Sequence, residues 1–220
     1  MRIVIFSNGN FAHSEQDRRM IDPGDMLIAA DGGLHHCLAL NMTPDVLVGD
    51  LDSVEQELVA DLRSRGTDIR EHPARKDHTD LELALELAVS HAPDKILILG
   101  GLGGRWDQTL ANILLLSQER FGGTQILLID GPQRIQTVGA GETIEIRGQP
   151  GAIVSLIPIH GDATGITTQG LEYELSGGTL EHGSSRGVSN VLIHEEATVR
   201  LDGGMLVCII IDELNSIPGT

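Results

Sequence analysis

Five short aliphatic runs punctuate the first 130 residues, at 3–6, 26–30, 46–48, 96–99 and 126–129. Each has the length of a buried strand rather than a helix. A more polar strand is expected at 68–71. Helical patterns fill the gaps. One covers 34–40. After Ser53, with Gln56 three residues on as in a capping box, Val54, Leu58 and Leu62 repeat every four residues. Thr79 and Glu82 form a second capping box, and Leu81, Ala84, Leu85 and Ala88 follow at i, i+3, i+4, i+7. Leu110, Ile113 and Leu114 mark a helix after Asp107. Strands alternating with helices predict an α/β domain with a mainly parallel sheet. Aromatic residues make up only 2% of the chain, so its core must be aliphatic, as buried parallel strands are.

The pattern changes at Gly131-Pro132. Beyond it, β-type stretches at 135–138, 143–146, 153–157, 165–168, 198–201 and 205–211 are separated by glycine-rich turns, with no helical period of useful length. This half reads as an all-β sandwich or small barrel. The expected boundary lies within 131–140, which divides the chain into 1–134 and 135–220.

The formal charge is −17, a field that repels nucleic acid and anionic membrane surfaces. An anionic substrate then needs local help from backbone N–H groups, a few basic side chains or a divalent cation. Cys37 and Cys208 have neither zinc-type spacing nor a disulfide framework. No signal peptide and no apolar run of membrane-spanning length is visible, so a cytoplasmic protein is expected. The His35-His36 pair belongs to no HxxxH or HExxH pattern, and Gly-x-Ser-x-Gly is absent. Trp106 and Tyr173 are too few for an aromatic nucleic-acid platform.

Ligands of open parallel sheets bind beyond the carboxyl ends of the strands. The first expected strand leads into Ser7-Asn8-Gly9, the second into Asp31-Gly32-Gly33 and the third into Gly49-Asp50-Leu51-Asp52-Ser53. The strand at 96–99 leads into Gly100-Gly101-Leu102-Gly103-Gly104-Arg105-Trp106-Asp107. In an extended segment Asp50 and Asp52 point to one side. Two like charges held together call for a cation, and Mg²⁺ suits a few carboxylates, waters and phosphate oxygens. A lone Asp52 would read as a helix-start acid; Asp50, Gly49 and the strand-end location favour the metal. Thr79 is read as the cap of the next helix, with Asp80 in its first turn, and Lys76 offers a charge for phosphate. The glycines of 100–104 let backbone approach a nucleotide, and Arg105 can grip phosphate oxygens. Asp107 fits equally a helix cap and a chemical role.

In order, these motifs resemble thiamine pyrophosphokinase. The matching elements are Ala30-Asp31-Gly32-Gly33, Gly49-Asp50-Leu51-Asp52-Ser53, Lys76-Asp77-His78-Thr79-Asp80 and the segment Gly100 to Gln108. Gly170-Leu171-Glu172-Tyr173-Glu174-Leu175 and Gly187-Val188-Ser189-Asn190 match in the β-rich half. The resemblance implies an α/β catalytic domain binding ATP and Mg²⁺ over 1–134 and a β-sandwich binding thiamine over 135–220. The reaction it implies converts thiamine and ATP to thiamine diphosphate and AMP. It also implies a homodimer with active sites between subunits. Asp50, Asp52 and Asp80 become the metal residues, with Asp107 and Arg105 as further catalytic groups. Asp31, Lys76, Thr79, Gly101 and Gly104 join Arg105 around ATP and its phosphates, and Tyr173, Ser189 and Asn190 match the thiamine side. The rival expectations are a pyrophosphokinase for another acceptor, such as a hydroxymethylpterin, and a non-catalytic thiamine- or nucleotide-binding sensor.

Overall fold

A computed structural model describes residues 1–12, 15–74 and 77–213. Lys76 therefore lies outside the described residues. The chain forms two compact units, Met1–Gly131 and Pro132–Thr220.

In the first unit, β1 (Arg2–Phe6), β2 (Met26–Ala30), β3 (Val46–Gly49), β4 (Asp68–Glu71), β5 (Lys95–Leu99) and β6 (Gln125–Asp130) pair in parallel, in the order β6-β5-β1-β2-β3-β4. Helices α1 (Glu15–Arg19), α2 (Leu34–Ala39), α3 (Gln56–Ser64), α4 (Asp80–Ser90) and α5 (Trp106–Leu115) connect them. Val4 and Phe6 of β1 join Cys37 of α2 and the adjoining Leu40 in one buried cluster. Ile3 and Ile5, fully buried too, face the opposite way by strand alternation. On that account β1 is apolar from Ile3 to Phe6, because both its faces are covered. Helix α4 packs against β1, β2 and β3 through an apolar stripe that includes Ala84, Leu85 and Ala88. Its N-terminus is capped as expected: the Thr79 hydroxyl accepts from Glu82 N at 3.2 Å. Its end comes where Ala92 turns left-handed (φ 49°) just ahead of Pro93. Strand β4, Asp-Ile-Arg-Glu, is the sheet's outer strand beside β3, and Arg70 Nε bonds Asp68 Oδ2 at 2.9 Å on it.

The Ser53–Gln56 capping box does not form. Helix α3 starts at Gln56 with Glu55 in the cap position and no side-chain cap. Nor is 50–52 extended. Leu51 is left-handed (φ 60°), and Asp52 N donates to Asp50 Oδ1 at 3.3 Å, so the segment is a turn closed by the aspartate itself. The third difference concerns α5, which begins at Trp106 rather than at Gln108. Arg105 holds its cap position and Asp107 lies inside the first turn.

The second unit is two antiparallel sheets. One has the order β12-β9-β14-β7, from β7 (Gln133–Gly139), β9 (Ile153–Pro158), β12 (Asn190–Val191) and β14 (Met205–Ile211). The other has the order β11-β10-β13-β8, from β8 (Thr143–Arg147), β10 (Ala163–Gln169), β11 (Gly178–Leu180) and β13 (Glu196–Arg200). Leu206, Cys208 and Ile210 alternate inward from β14 to meet Ile146 and Val199 of the facing sheet in a shared core, which makes the unit a sandwich. The buried Asp212 carboxylate accepts from Arg134 Nη2 and Gln149 N, so its charge is compensated.

Candidate active site

The carboxyl ends of β1, β2 and β5 open on a cleft of about 450 Å³. Asp31, Thr79, Asp80, Gly101, Gly104 and Arg105 all line it. Two loops form its floor by close backbone approach. Gly9 N donates to Gly100 O and Asn10 N to Leu102 O, both at 2.7 Å. A Cβ on Gly9 would sit 2.1 Å from Leu102 O, so only glycine fits. The glycine loop is pinned from α5, where Asn112 Nδ2 donates to Gly101 O at 2.7 Å and Thr109 Oγ1 accepts from Gly103 N at 3.2 Å. On the other side, His36 Nε2 stands 2.8 Å from Gly9 O. The loop is thus a fixed cradle of backbone groups.

Beside it lies the acidic group. Carboxylate oxygens of Asp31, Asp50 and Asp52 lie within 4.8 Å of one another. Asp31 follows β2 in a left-handed conformation (φ 44°), opening a 3-10 turn that leads into α2. Strand β3 ends against it, since a Cβ on Gly49 would stand only 2.9 Å from Asp31 Cβ. The Ser53 hydroxyl donates to Asp31 Oδ2 at 2.7 Å. Asp31 Oδ1 is buried and is the sole buried side-chain nitrogen or oxygen without a hydrogen-bond partner among the described residues. The Asp50 carboxylate pushes the exposed Asp52 carboxyl above the usual range, by charge repulsion and by sharing a hydrogen bond; Asp31 and Asp80 add to the repulsion. Asp80 is thus electrostatically in the group while its oxygens are not among the three.

Arg105 and Asp107, both exposed, form a two-bond ion pair, Arg105 Nε to Asp107 Oδ1 at 3.1 Å and Nη2 to Oδ2. The guanidinium lowers the Asp107 carboxyl pKa below its usual range. A carboxylate tied in this way is a poor proton acceptor.

In the second unit, Tyr173 and Asn190 meet. Asn190 Nδ2 donates to Tyr173 O at 2.8 Å and Asn190 Oδ1 accepts from Tyr173 N at 3.0 Å, so one amide brackets both peptide groups. Glu172 N also donates to Val191 O at 2.9 Å. Both residues line a pocket of about 390 Å³ with Thr168, Glu174 and Arg186. Ser189 sits next to Asn190 in a left-handed conformation (φ 63°), its N–H on Ser155 Oγ at 3.1 Å, and is outside the pocket lining.

Sequence patterns do not mark Ser53 as a ligand-side residue, nor Asn10, Thr109 and Asn112 at all. The first is hidden by its plausible role as a cap. The others carry no charge and act through backbone carbonyls and N–H groups, which no spacing rule marks.

Residues 18–128 match the family described as thiamin pyrophosphokinase, catalytic domain. Residues 142–206 match thiamin pyrophosphokinase, vitamin B1 binding domain. The chain is 32% identical over 188 residues to the thiamine pyrophosphokinase of Bacillus subtilis (strain 168), with 86% of this chain and 88% of that one covered. The crystal structure of thiamine pyrophosphokinase from Bacillus subtilis superposes with a TM-score of 0.85 at 29% identity, covering 97% of this chain and 100% of that one. That of a thiamin pyrophosphokinase family protein from Enterococcus faecalis gives 0.82 at 27%, covering 96% and 99%.

Proposed function

This chain belongs to the thiamin pyrophosphokinase family, and from that premise we propose how its residues divide the work. The enzyme transfers the pyrophosphoryl group of ATP to the hydroxyl of thiamine, giving thiamine diphosphate and AMP. We assign ATP to the unit Met1–Gly131 and thiamine to the unit that starts at Pro132.

The observation that carries the site assignment is the Asp31, Asp50 and Asp52 group with its one buried, unpartnered oxygen. Hard oxygen donors that repel one another fit Mg²⁺, so Asp50 and Asp52 would hold the ion, with Asp31 and Asp80 completing its surroundings. When bound, Mg²⁺ neutralises phosphate charge that a chain of net −17 would otherwise repel. The protein's own part is positioning. Backbone of Gly101 to Gly104 cradles the phosphates, and the cap of α4 fixes Thr79 and Asp80 at the cleft wall. Arg105 stabilises charge on the transferred group, and Lys76 is assigned the same role.

The thiamine hydroxyl oxygen bonds to the β-phosphorus as the bond from that phosphorus to the departing AMP oxygen breaks, and the hydroxyl proton leaves to a carboxylate. Asp107 is disfavoured as acceptor because Arg105 holds it ionised. Asp80, in the cleft at the first turn of α4, is the better group to orient the hydroxyl. For thiamine, Tyr173 and Asn190 form the wall of the pocket and Ser189 its border. The Glu174 carboxylate supplies charge that suits a cationic thiazolium.

The test is incubation with ATP and thiamine, and separately with ATP and a hydroxymethylpterin, reading both products by mass spectrometry. Thiamine diphosphate plus AMP is expected. AMP release with the pterin alone would point to another acceptor, and no turnover with either to a sensor. Asp50→Ala and Asp52→Ala should each lower turnover by at least roughly 100-fold, the scale of a lost main electrostatic contact. Near-normal activity in both would refute the metal assignment.

We further assign the protein to the cytoplasm and to a homodimer in which each active site draws on both protomers. No helix among the described residues is long and apolar enough to cross a membrane. Trp106, Leu110 and Leu114 stand exposed at a spacing of four along α5, an apolar stripe that a second copy would cover. Light scattering on the purified chain reads the assembly directly.

A further inference from the structure

We propose that Ser53 is a positioning residue for the cation site: its hydroxyl engages one oxygen of Asp31 and leaves the other as a directed donor. The proposal rests on reading Asp31, Asp50 and Asp52 as that site.

The hydroxyl donates to Asp31 Oδ2 at 2.7 Å, across 22 residues of sequence. With Oδ2 so engaged, Oδ1 remains, buried and without a partner. A carboxylate anchored by one oxygen loses rotational freedom about its last torsion. Its second oxygen is then preorganised, which is how outer residues tune a metal's ligands.

Three features show that this bond is built rather than incidental. First, Ser53 stands three residues before Gln56, where it could cap α3, and serine is among the favoured cap residues. The helix instead begins without a side-chain cap. The hydroxyl has thus taken a tertiary partner over a local one. Second, the backbones on both sides are held in unusual conformations, Asp31 at φ 44° and Leu51 at φ 60°. The left-handed Leu51 brings round Asp50, Asp52 and Ser53, so a single turn delivers two carboxylates and the hydroxyl that fixes the third. Third, Gly49 removes the side chain that would collide with Asp31.

A hydroxyl that only tied the 50–53 turn to the end of β2 would affect folding stability and leave cation affinity alone. The deciding measurement is therefore binding of Mn²⁺ alone to the full-length protein, with no nucleotide, followed by the loss of the free-ion electron paramagnetic resonance signal. Ser53→Ala should weaken Mn²⁺ binding by roughly 10- to 100-fold, the usual consequence of removing a hydrogen bond behind a metal ligand. Ser53→Thr, which keeps the hydroxyl, should restore it. In turnover assays the Mg²⁺ concentration for half-maximal rate should rise in Ser53→Ala, while the rate at saturating Mg²⁺ recovers most of its wild-type value.

Wild-type Mn²⁺ affinity in a folded Ser53→Ala, alongside weakened binding in Asp31→Asn, would overturn the role of Ser53 and leave the cation site standing. Equal Mn²⁺ binding by wild type and an Asp50→Asn/Asp52→Asn double variant would overturn the site and the proposal with it. Should Ser53→Ala fail to fold, Ser53→Cys, a weaker donor of similar size, takes its place, and undiminished affinity there overturns the proposal.

Discussion

Replacing Gly49 by alanine tests the closest approach in the acidic group. The new methyl carbon would lie 2.9 Å from Asp31 Cβ, 3.1 Å from its Cα and 3.3 Å from its N. Carbon atoms settle at about 3.5–4.0 Å, so the Asp31 backbone must retreat by at least ~0.6 Å. Strand β3 cannot give way in its place. Gly49 O is fixed by His72 N at 2.8 Å, and β3 is locked between β2 and β4. The neighbour is backbone and Cβ rather than a swinging side-chain end, so strain of about 1–3 kcal/mol is expected, as for other overpacked sites. In a chain of this size each kcal/mol lowers Tm by about 2–4 °C. Misplacing Asp31 by a good fraction of an ångström should also cut turnover, by up to ~100-fold if the displacement nears 1 Å. Calorimetry and a thiamine diphosphate assay read the two effects. Gly24→Ala is the control, since its added carbon meets nothing within 4 Å and should leave both unchanged. A Gly49→Ala protein with wild-type Tm and wild-type rate would refute the steric argument.

Asp50→Asn keeps the acceptor for Asp52 N but removes the charge that raises Asp52. With its folded pKa above the unfolded one, Asp52 contributes stability that is complete below about pH 3.9 and is lost as pH rises through the folded value. In chelator at neutral pH the variant should therefore melt higher than wild type, with the gap closing in acid; a lower melting point at neutral pH would contradict this. Asn190→Ala strips two hydrogen bonds of about 1 kcal/mol each from the Tyr173 segment, so KM for thiamine should rise on the order of tenfold or more while KM for ATP holds. An equal rise in both KM values would place Asn190 elsewhere in the reaction. Burial pushes the Cys37 and Cys208 thiols up to about 12, so a disulfide reagent should label neither until the protein unfolds.

The parallel strands were legible because burial on both faces writes continuous aliphatic runs, and even the polar β4 showed in its alternation with helices. The acids at strand ends were legible for a topological reason: the residues just past a parallel strand are all delivered to one edge. Short elements were not. Helix α1, Glu-Gln-Asp-Arg-Arg, has no apolar period to detect, and β11 and β12 are three and two residues long. Local rules also failed where a distant partner won. Ser53 obeys the capping pattern and yet bonds to Asp31. Leu51 takes a left-handed conformation that sequence normally signals with glycine or asparagine, so an extended 50–52 was the natural and incorrect expectation. The sequence places Asp31 on the phosphate side, and nothing in its spacing brings it to Asp50; the β2–β3 pairing does.

Strand β4 carries a consequence for the protein at high concentration. The outer strand of a sheet offers bare amide and carbonyl groups, a template on which another molecule's strand can grow. Here that template is Asp68-Ile69-Arg70-Glu71, three of whose four side chains are charged, with Asp68 and Arg70 paired to each other. An incoming strand would have to bury that pair or break it, and would gain one isoleucine in return. The open edge of the first unit is thus a poor template for fibrous self-association, a protection that neutralising Asp68 and Arg70 together would weaken while leaving the cleft untouched.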